Sequence, residues 1–309
     1  MSKFTEGLQN WWRKRREKNL IEKRENEAVK MDPAHKPILI VVCVLFSIYS
    51  ITLFFPLVWL FVNSLKDKII FLNNPWKMGG KVLWSNYSAV FEAFDFGTMF
   101  LNSISLVLTQ PIVGVFSTTC AAYAVSKFRF KLRRFIYVIA ISVMFIPTTG
   151  SVAVTYKLMF DLGLIDTLPG MIIMATGGFG FNFLLLYGMF KGISWSYAEA
   201  AYVDGASNWR VFLQIMVPHA MPILTAIWVL GMIGTWNDYT GPLMFYSSHD
   251  TVAVGIQRLS ESLTNPGPYS NDYPKLFAAM IIATVPVIVL FIACQKYIIR
   301  LNMGGGLKG

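Results

Sequence analysis

Six long stretches of this chain contain no Asp, Glu, Lys or Arg, and each is long enough to cross the hydrocarbon core of a bilayer, which takes about 20 apolar residues. The composition agrees, because only 14% of the 309 residues are charged and 55% are hydrophobic. The stretches are Pro37–Leu65, Phe96–Ser126, Phe135–Tyr156, Thr167–Phe190, Val211–Asn237 and Leu276–Gln295. We therefore predict an all-α integral membrane protein with six transmembrane helices.

The basic residues are unevenly distributed between the two sides of these stretches. With the N-terminus inside, 20 of the 27 Lys and Arg residues lie on the inner side, ten of them in residues 1–36 and five in the 127–134 loop. This asymmetry follows the positive-inside rule and predicts that both termini are cytoplasmic. The net charge of +10 then reflects topology and contact with anionic lipid headgroups, and not nucleic-acid binding.

The same pattern predicts how the chain is organised. The first apolar stretch begins after 36 residues and lacks a cleavage pattern, so we interpret it as a retained span and not a signal peptide. The basic segment before it is either a surface-lying amphipathic anchor or a partly disordered tail. The predicted segments are 1–36 (cytoplasmic, basic and amphipathic), 37–65 (first transmembrane helix), 66–99 (extracytoplasmic), 100–299 (a core of five transmembrane helices with a loop at 191–217) and 300–309 (cytoplasmic tail).

Motifs for catalysis are absent from the sequence. It has no GxxxxGK[ST] phosphate loop, no HExxH and no GxSxG, so we expect no catalytic residue, cofactor or metal. Cys43, Cys120 and Cys294 lie within apolar stretches, where we interpret them as small hydrophobic side chains. Because the stretches contain almost no ionisable group, any energy for uphill transport is expected to enter from outside the bilayer.

The segment Ser196–Pro222 is a polar, motif-rich connector between two predicted spans. Ser196 and Glu199 have capping-box spacing, which predicts a short helix at about 197–203. Asp204-Gly205 should end this helix, and Ser207 should cap a second helix. That second helix is expected to place Trp209, Val211, Phe212, Ile215 and Met216 on one apolar stripe and to break at Pro218. From spacing alone, the connector is either a docking surface or an ordinary amphipathic link.

The connector also matches a known signature. Its residues are Glu199, Ala200, Ala201, Asp204, Gly205, Ala206, Ile215 and Pro218, in the order EAA–G–I–P. This pattern resembles the permease subunits of binding-protein-dependent ABC importers, and Asp204–Ser207 followed by Trp209-Arg210 and Phe212 resembles their carbohydrate branch. Further landmarks resembling the MalG-type subunits are Asn102-Ser103, Thr235–Asp238, Thr251–Gly255, Gln295–Tyr297 and Gly305–Gly309. The resemblance covers roughly residues 37–309.

The resemblance implies a type-1 transmembrane fold in the prokaryotic inner membrane. The implied partners are a second, different permease subunit, two cytoplasmic ATPase subunits, an extracytoplasmic solute-binding protein and a sugar. ATP hydrolysis would occur on the ATPase chains, so this chain would be a transport subunit and not an enzyme. The Glu199–Gly205 segment would couple it to the ATPase.

Two further assignments depend on the resemblance. Trp236, Asn237 and Tyr239 are candidates for the sugar path, although aromatic residues at such positions also serve as interfacial anchors. Thr251, Val254 and Gly255 are candidates for docking the binding protein. The alternatives are a permease for another solute such as glycerol phosphate or a peptide, a self-contained secondary carrier or channel, and a membrane scaffold without transport.

Overall fold

Helices form all the regular structure in the described part of the chain, which comprises residues 36–77, 80–93, 95–146, 148–177 and 179–304 of a computed structural model. These ranges contain no strand, in agreement with the predicted all-α class. The basic N-terminal segment, apart from Lys36, and the C-terminal landmark Gly305–Gly309 lie outside the described residues.

The chain divides into two compact units, and the boundary falls after Leu60. Helix α1 (Lys36–Ser64) begins in the first unit and ends in the second. In the first unit its serine hydroxyls donate to the backbone one turn earlier, from Ser47 to Cys43 O at 2.7 Å and from Ser50 to Phe46 O at 2.8 Å. These bonds satisfy the two serine hydroxyls within the apolar helix itself.

The second unit contains the remaining helices. In chain order these are α2 (Lys68–Asn73), α3 (Ser85–Ala93), α4 (Phe96–Lys127), α5 (Arg133–Ser142), α6 (Val152–Asp161), α7 (Leu168–Met174), α8 (Phe181–Gly192), α9 (Ser196–Val203), α10 (Asn208–Val211), α11 (Val217–Asn237), α12 (Thr240–Phe245), α13 (Val252–Ser262) and α14 (Tyr273–Gly304). Two 3₁₀ turns (Val143–Phe145 and Thr148–Ser151) precede α6, and a π-helical turn (Phe212–Met216) joins α10 to α11.

Four helices in the described residues are long and apolar enough to cross a membrane: Pro37–Ser64, Phe96–Lys127, Asn208–Asn237 and Tyr273–Gln295. The other two of the six predicted transmembrane helices are not continuous in the described residues. The third stretch is divided between α5 and α6, and the fourth between α7 and α8. An apolar, uncharged run fixes the environment of a segment but not the continuity of its backbone. Both breaks occur where the sequence has proline or paired glycines, at Pro147 and Gly177-Gly178.

Helix α4 is the central element of the second unit. It packs against α11 along much of its length and against α8 with its C-terminal half. The buried side chains form one cluster around Tyr123, Phe190 and Phe212, and another around Phe96, Trp236 and Leu259. Because α4 contributes to both clusters, it connects the two ends of this unit.

The predicted extracytoplasmic segment 66–99 is folded. Asn86 is buried, and its amide donates to Ser64 O at 2.8 Å and to Lys66 O at 2.9 Å. The Lys66 ammonium donates to Asn63 Oδ1 at 2.7 Å and to Pro75 O at 2.6 Å. Burial lowers the pKa of Lys66. The bond to Ser64 O satisfies a carbonyl that the end of α1 leaves unpaired. Together the bonds hold the segment against that end of the helix.

A second set of bonds connects the turn before α7 to the segment after α12. Asp166 has a positive φ of 61°, and its Oδ1 accepts from Ser248 N at 2.9 Å and lies 3.3 Å from His249 Nδ1. The bonds from Ser248, together with His249, hold the pKa of the Asp166 carboxyl below its usual range. The His249 ring stacks on Tyr246 with centroids 4.3 Å apart.

Candidate functional site

The predicted docking helix of the connector forms almost as expected. Helix α9 covers Ser196–Val203, one residue longer than predicted. Ala198 is fully buried, and Ala201 and Tyr202 are half-buried against the cluster around Tyr123. The small alanines therefore let one face of α9 lie close to the core of the second unit.

The end of α9 is a Schellman motif. Gly205 has φ +78°, a conformation that glycine adopts without the steric penalty of a Cβ atom. Its N–H donates to Tyr202 O at 3.0 Å, and Ala206 N donates to Ala201 O at 2.9 Å. The prediction that Asp204-Gly205 ends the helix is confirmed, and the turn has a single defined geometry.

The predicted capping box between Ser196 and Glu199 does not form. The N-cap residue is Trp195, whose backbone oxygen accepts from Ala198 N and Glu199 N. Ser196 is already inside the helix, and its hydroxyl lies 2.8 Å from that of Ser194. The helix begins one residue earlier than the motif requires, so Glu199 is free of this capping role.

The second helix begins as predicted and does not end as predicted. Ser207 Oγ accepts from Arg210 N at 3.4 Å and caps α10. At Pro218, however, the helix continues into α11 through the π-helical turn. A π turn shifts the bonding register to i→i+5, which accommodates the missing N–H and the ring of proline. The predicted break at Pro218 is therefore wrong.

The stripe on this second helix is partly as expected. Val211, Phe212 and Met216 are buried and Ile215 is half-buried, whereas Trp209 is 62% exposed. Trp209 instead packs its ring edge-on to Phe212 at 5.8 Å.

The outer face of the segment Ser196–Ser207, which we call the EAA segment, is exposed. Glu199, Ala200, Asp204 and Gly205 all lie on the surface. Val203 on the same face is 88% exposed. Sequence reasoning missed Val203, although a valine at the last helical position before Asp-Gly was a usable signal.

The EAA segment is joined to α4 through aromatic side chains. The ring of Tyr202 lies 6.1 Å from that of Trp195, which lies 6.2 Å from that of Phe128. The Tyr123 ring on α4 lies 4.8 Å from that of Phe212 and 5.5 Å from those of Phe190 and Phe128. Lys127, at the end of α4, donates from Nζ to Ile193 O just before α9. Such a packed cluster transmits displacement, because close-packed interiors have low compressibility.

The candidate sugar-path residues do not form one surface. Trp236 is buried, and its Nε1 donates to Ala283 O on α14 at 3.1 Å while its ring meets that of Phe100 at 5.6 Å. Asn237 is exposed, and its amide donates to Ile233 O at 2.8 Å. Tyr239 is 44% exposed. Trp236 is thus placed for helix packing, and the other two lie at the surface.

The candidate docking residues before and in α13 are internal. Thr251 caps α13 by accepting from Val254 N at 3.3 Å, and Val254 and Gly255 are buried. A Cβ on Gly255 would lie 2.7 Å from Met99 Sδ. These residues fix where α13 lies, while its exposed surface consists of other residues.

Asn102 and Ser103 of α4 hold the loop that precedes α13. Asn102 Nδ2 donates to Asp250 O at 3.0 Å, and Ser103 Oγ accepts from Val252 N at 2.9 Å. Across the described residues, no three His, Cys, Asp or Glu side chains group as a metal site would require.

The chain can be assigned to a family of transport proteins. The model of the binding-protein-dependent transport system inner membrane component family matches residues 112–301, which include the EAA segment, α11 and most of α14. The chain belongs to this family. It is therefore a membrane component of a transport system and not an enzyme.

Named relatives cover most of the chain. It is 27% identical to the diacetylchitobiose uptake system permease protein NgcG of Streptomyces coelicolor, over 82% of this chain and 84% of that protein. It is also 27% identical to the melibiose/raffinose/stachyose import permease protein MelC of Bacillus subtilis, over 87% of this chain and 96% of that protein.

Solved structures share the fold. A chain of a bacterial ABC transporter involved in the import of the acidic polysaccharide alginate matches with a TM-score of 0.69 at 24% identity, over 86% of this chain and 98% of that chain. A second match, with a TM-score of 0.60, is to a chain of a bacterial alginate ABC transporter in complex with a pentasaccharide-bound periplasmic protein. It is 17% identical and covers 85% of this chain and 94% of that chain.

Proposed function

We propose that this chain is the MalG-type permease subunit of an ATP-driven, binding-protein-dependent importer of a sugar or oligosaccharide. The observation that carries the proposal is the exposed, rigid EAA segment, whose inner face is anchored to α4. Relatives named for the uptake of diacetylchitobiose and of melibiose, raffinose and stachyose support a carbohydrate as the solute.

In this proposal the EAA segment is the coupling element. Glu199, Ala200 and Val203 would enter a cleft of a cytoplasmic ATPase, and Asp204-Gly205 would keep the turn rigid. Ala201, Ala206, Ile215 and Pro218 would position the segment against the membrane helices. Closure of two ATPase subunits on ATP would then displace α4 through the aromatic contacts of Tyr123.

The remaining parts of the assembly follow from the same proposal. A second, different permease subunit would complete the pore, and an extracytoplasmic solute-binding protein would deliver the solute. That protein would meet the 247–273 region, which Thr251, Val254 and Gly255 hold in place. The chain would cross the inner membrane six times with both termini cytoplasmic, two of the crossings being the broken helices α5–α6 and α7–α8.

Co-purification from native membranes tests the coupling element. We expect tagged wild-type chain to bring down an ABC-type ATPase and a second permease. The Glu199→Lys variant should lose at least 90% of the ATPase and keep the permease, because the reversed charge lies on the exposed face of α9. Partners are identified and quantified by mass spectrometry.

Glu92→Lys is the matched control, since Glu92 is also an exposed helical glutamate but lies on α3 in the predicted extracytoplasmic segment. It should keep both partners. Recovery of the wild type alone or as a homo-oligomer would instead favour a self-contained carrier or channel.

Charge reversal tests the orientation. Arg129, Lys131 and Arg134 are exposed in the 127–134 loop. Changing all three to Glu should lower the fraction of chains with this loop inside by at least half, because positive charge retains short loops in the cytoplasm. A single cysteine at Phe130, in a background without the native cysteines, reports the side by its labelling with an impermeant thiol reagent.

The control changes Lys77, Lys81 and Lys157 to Glu on the predicted outer side. It should leave the labelling of Phe130→Cys unchanged. Labelling of that residue from outside in the otherwise wild-type chain would contradict the whole orientation.

A further inference from the structure

A polar cavity of about 210 Å³ lies between α4, α11 and the backbone break that separates α7 from α8. Its lining includes Gln110, Gly114, Thr118, Gly177, Asn182 and Thr235. The neighbouring cavity between α4 and α11 has a different character, with a lining that includes Ile112, Phe116 and Leu213. Polar side chains from three separate elements thus converge between helices that are otherwise apolar.

The break between α7 and α8 explains part of this polarity. The last carbonyls of one helix and the first N–H groups of the next have no intrahelical partner. In lipid, such a backbone is tolerated where it is buried in protein or lines a watery cavity. Gln110 Nε2 donates to Met171 O at 2.9 Å, and Ser117 Oγ donates to Thr176 O at 3.3 Å. Helix α4 therefore holds the α7 side of the break.

The close approach of α4 to the break depends on a missing side chain. A Cβ on Gly114 would lie 2.9 Å from Ala175 O. Helix α4 can therefore approach this carbonyl as closely as it does only because residue 114 is glycine. A Cβ on Gly177, in contrast, would meet nothing within 4 Å. The cavity is therefore tightly bounded beside Gly114 and open beside Gly177.

Two polar side chains of the cavity have no hydrogen-bond partner in the described part of the chain. Among the described residues, neither the Asn182 amide nor the Thr235 hydroxyl forms a side-chain hydrogen bond with the protein. Asn182 is exposed at the first turn of α8, and Thr235 is half-exposed on α11. Each offers both a donor and an acceptor.

We propose that this cavity is a carbohydrate-binding wall of the solute path, with Asn182 and Thr235 contacting hydroxyl groups of the passing sugar. The inference rests on the proposed function and adds the residues that meet the solute. No ionisable side chain lines the cavity, so it suits a neutral polyhydroxylated solute, whose hydroxyls exchange bonds with water for bonds with amides and hydroxyls. The path thus follows the Thr235 side of α11, whereas the adjacent Trp236 packs on α14.

Thiol accessibility tests the position of the wall. Asn182→Cys and Thr235→Cys are made separately in a chain with Cys43, Cys120 and Cys294 changed to Ser, assembled with its partners in native membranes. Both thiols should react with a charged, impermeant methanethiosulfonate at least 10-fold faster than those of Leu185→Cys and Leu230→Cys. These two controls are exposed residues of the same helices, α8 and α11, and do not line the cavity. Equal rates at all four positions would overturn the proposal.

Uptake by two near-isosteric variants and one space-filling variant tests the contacts. Asn182→Leu and Thr235→Val remove the hydrogen-bonding groups, and Gly177→Val fills the open side. The probes are labelled trehalose, lactose and raffinose. For whichever probe the wild type imports, each variant should lower the maximal uptake rate at least 10-fold. Co-purification of the ATPase should be unchanged. Wild-type rates in all three variants would overturn the inference and leave the proposed function intact. If the wild type imports none of the probes, the thiol rates alone decide the proposal, because they report whether the wall faces water without any transported sugar.

Discussion

Replacing Gly205 with valine should reduce ATP-dependent solute uptake at least 10-fold while the chain still reaches the membrane. Gly205 has φ +78°, and an L-residue in this region costs about 1–2 kcal/mol, with β-branched residues faring worst. A Cβ there meets nothing within 4 Å, so the variant is strained in its backbone but not crowded. The strain should open the Schellman motif and free the exposed face of α9 from its fixed geometry.

The measurement compares uptake into vesicles with ATP hydrolysis by the same complexes. Gly163→Val is the matched control, because Gly163 also has a positive φ of 66° and open space around its Cβ position. It lies in the turn between α6 and α7, away from the EAA segment. The control should share the loss of thermal stability and retain uptake. Equal loss of uptake in both variants would mean that the strain acts through folding and not through coupling.

Replacing Gly170 with alanine should strongly destabilise the second unit. A Cβ at this position of α7 would lie well inside van der Waals contact of Leu164 O, and 3.1 Å from Thr167 Oγ1. Leu164 O cannot retreat freely, because it accepts the Thr167 hydroxyl at 2.9 Å, and Thr167 in turn caps α7. Overpacking typically costs about 1–3 kcal/mol, and an overlap with a held backbone oxygen belongs at the upper end of this range.

Folded protein is measured as the monodisperse fraction on size-exclusion chromatography in detergent, before and after heating. After heating, we expect the monodisperse fraction of Gly170→Ala to be less than a fifth of that of the wild type. Gly188→Ala is the control, since its Cβ would meet nothing within 4 Å inside α8 and alanine favours a helix by about 1 kcal/mol over glycine. It should match or exceed the wild type. A wild-type fraction for Gly170→Ala would show that the turn at Leu164 can move.

The parts of the fold that sequence predicted well are those governed by local chemistry. The end of α9 at Asp204-Gly205 and the cap at Ser207 each depend on one residue type with one physical role. The four continuous spans follow from length and apolarity. The start of α9 was harder to predict, because its N-cap is Trp195, which makes no side-chain cap bond, although Ser194 and Ser196 on either side are both able to cap.

The parts that sequence predicted poorly depend on contacts between distant segments. Hydropathy cannot show that α7 and α8 are separate helices, because the broken stretch is as apolar as a continuous one. The burial of Thr251 also depends on a partner, Ser103 on α4, which orders the adjacent Val252 amide. Asn182 gave no signal, and Thr235 stood out only as part of the Thr235–Asp238 landmark, since each is an ordinary polar residue until the fold brings them to one cavity.

The π-helical turn has a mechanical consequence. Because Pro218 does not interrupt the helix, residues Asn208–Asn237 form one continuous helix of 30 residues, which is about 45 Å long at 1.5 Å per residue. One end begins at the cap of the EAA segment, and Thr235 stands near the other end. A tilt of this helix at its capped end is therefore expected to displace Thr235 and the cavity wall at the other end. The π turn is the place where the hydrogen-bonding register of the helix can change.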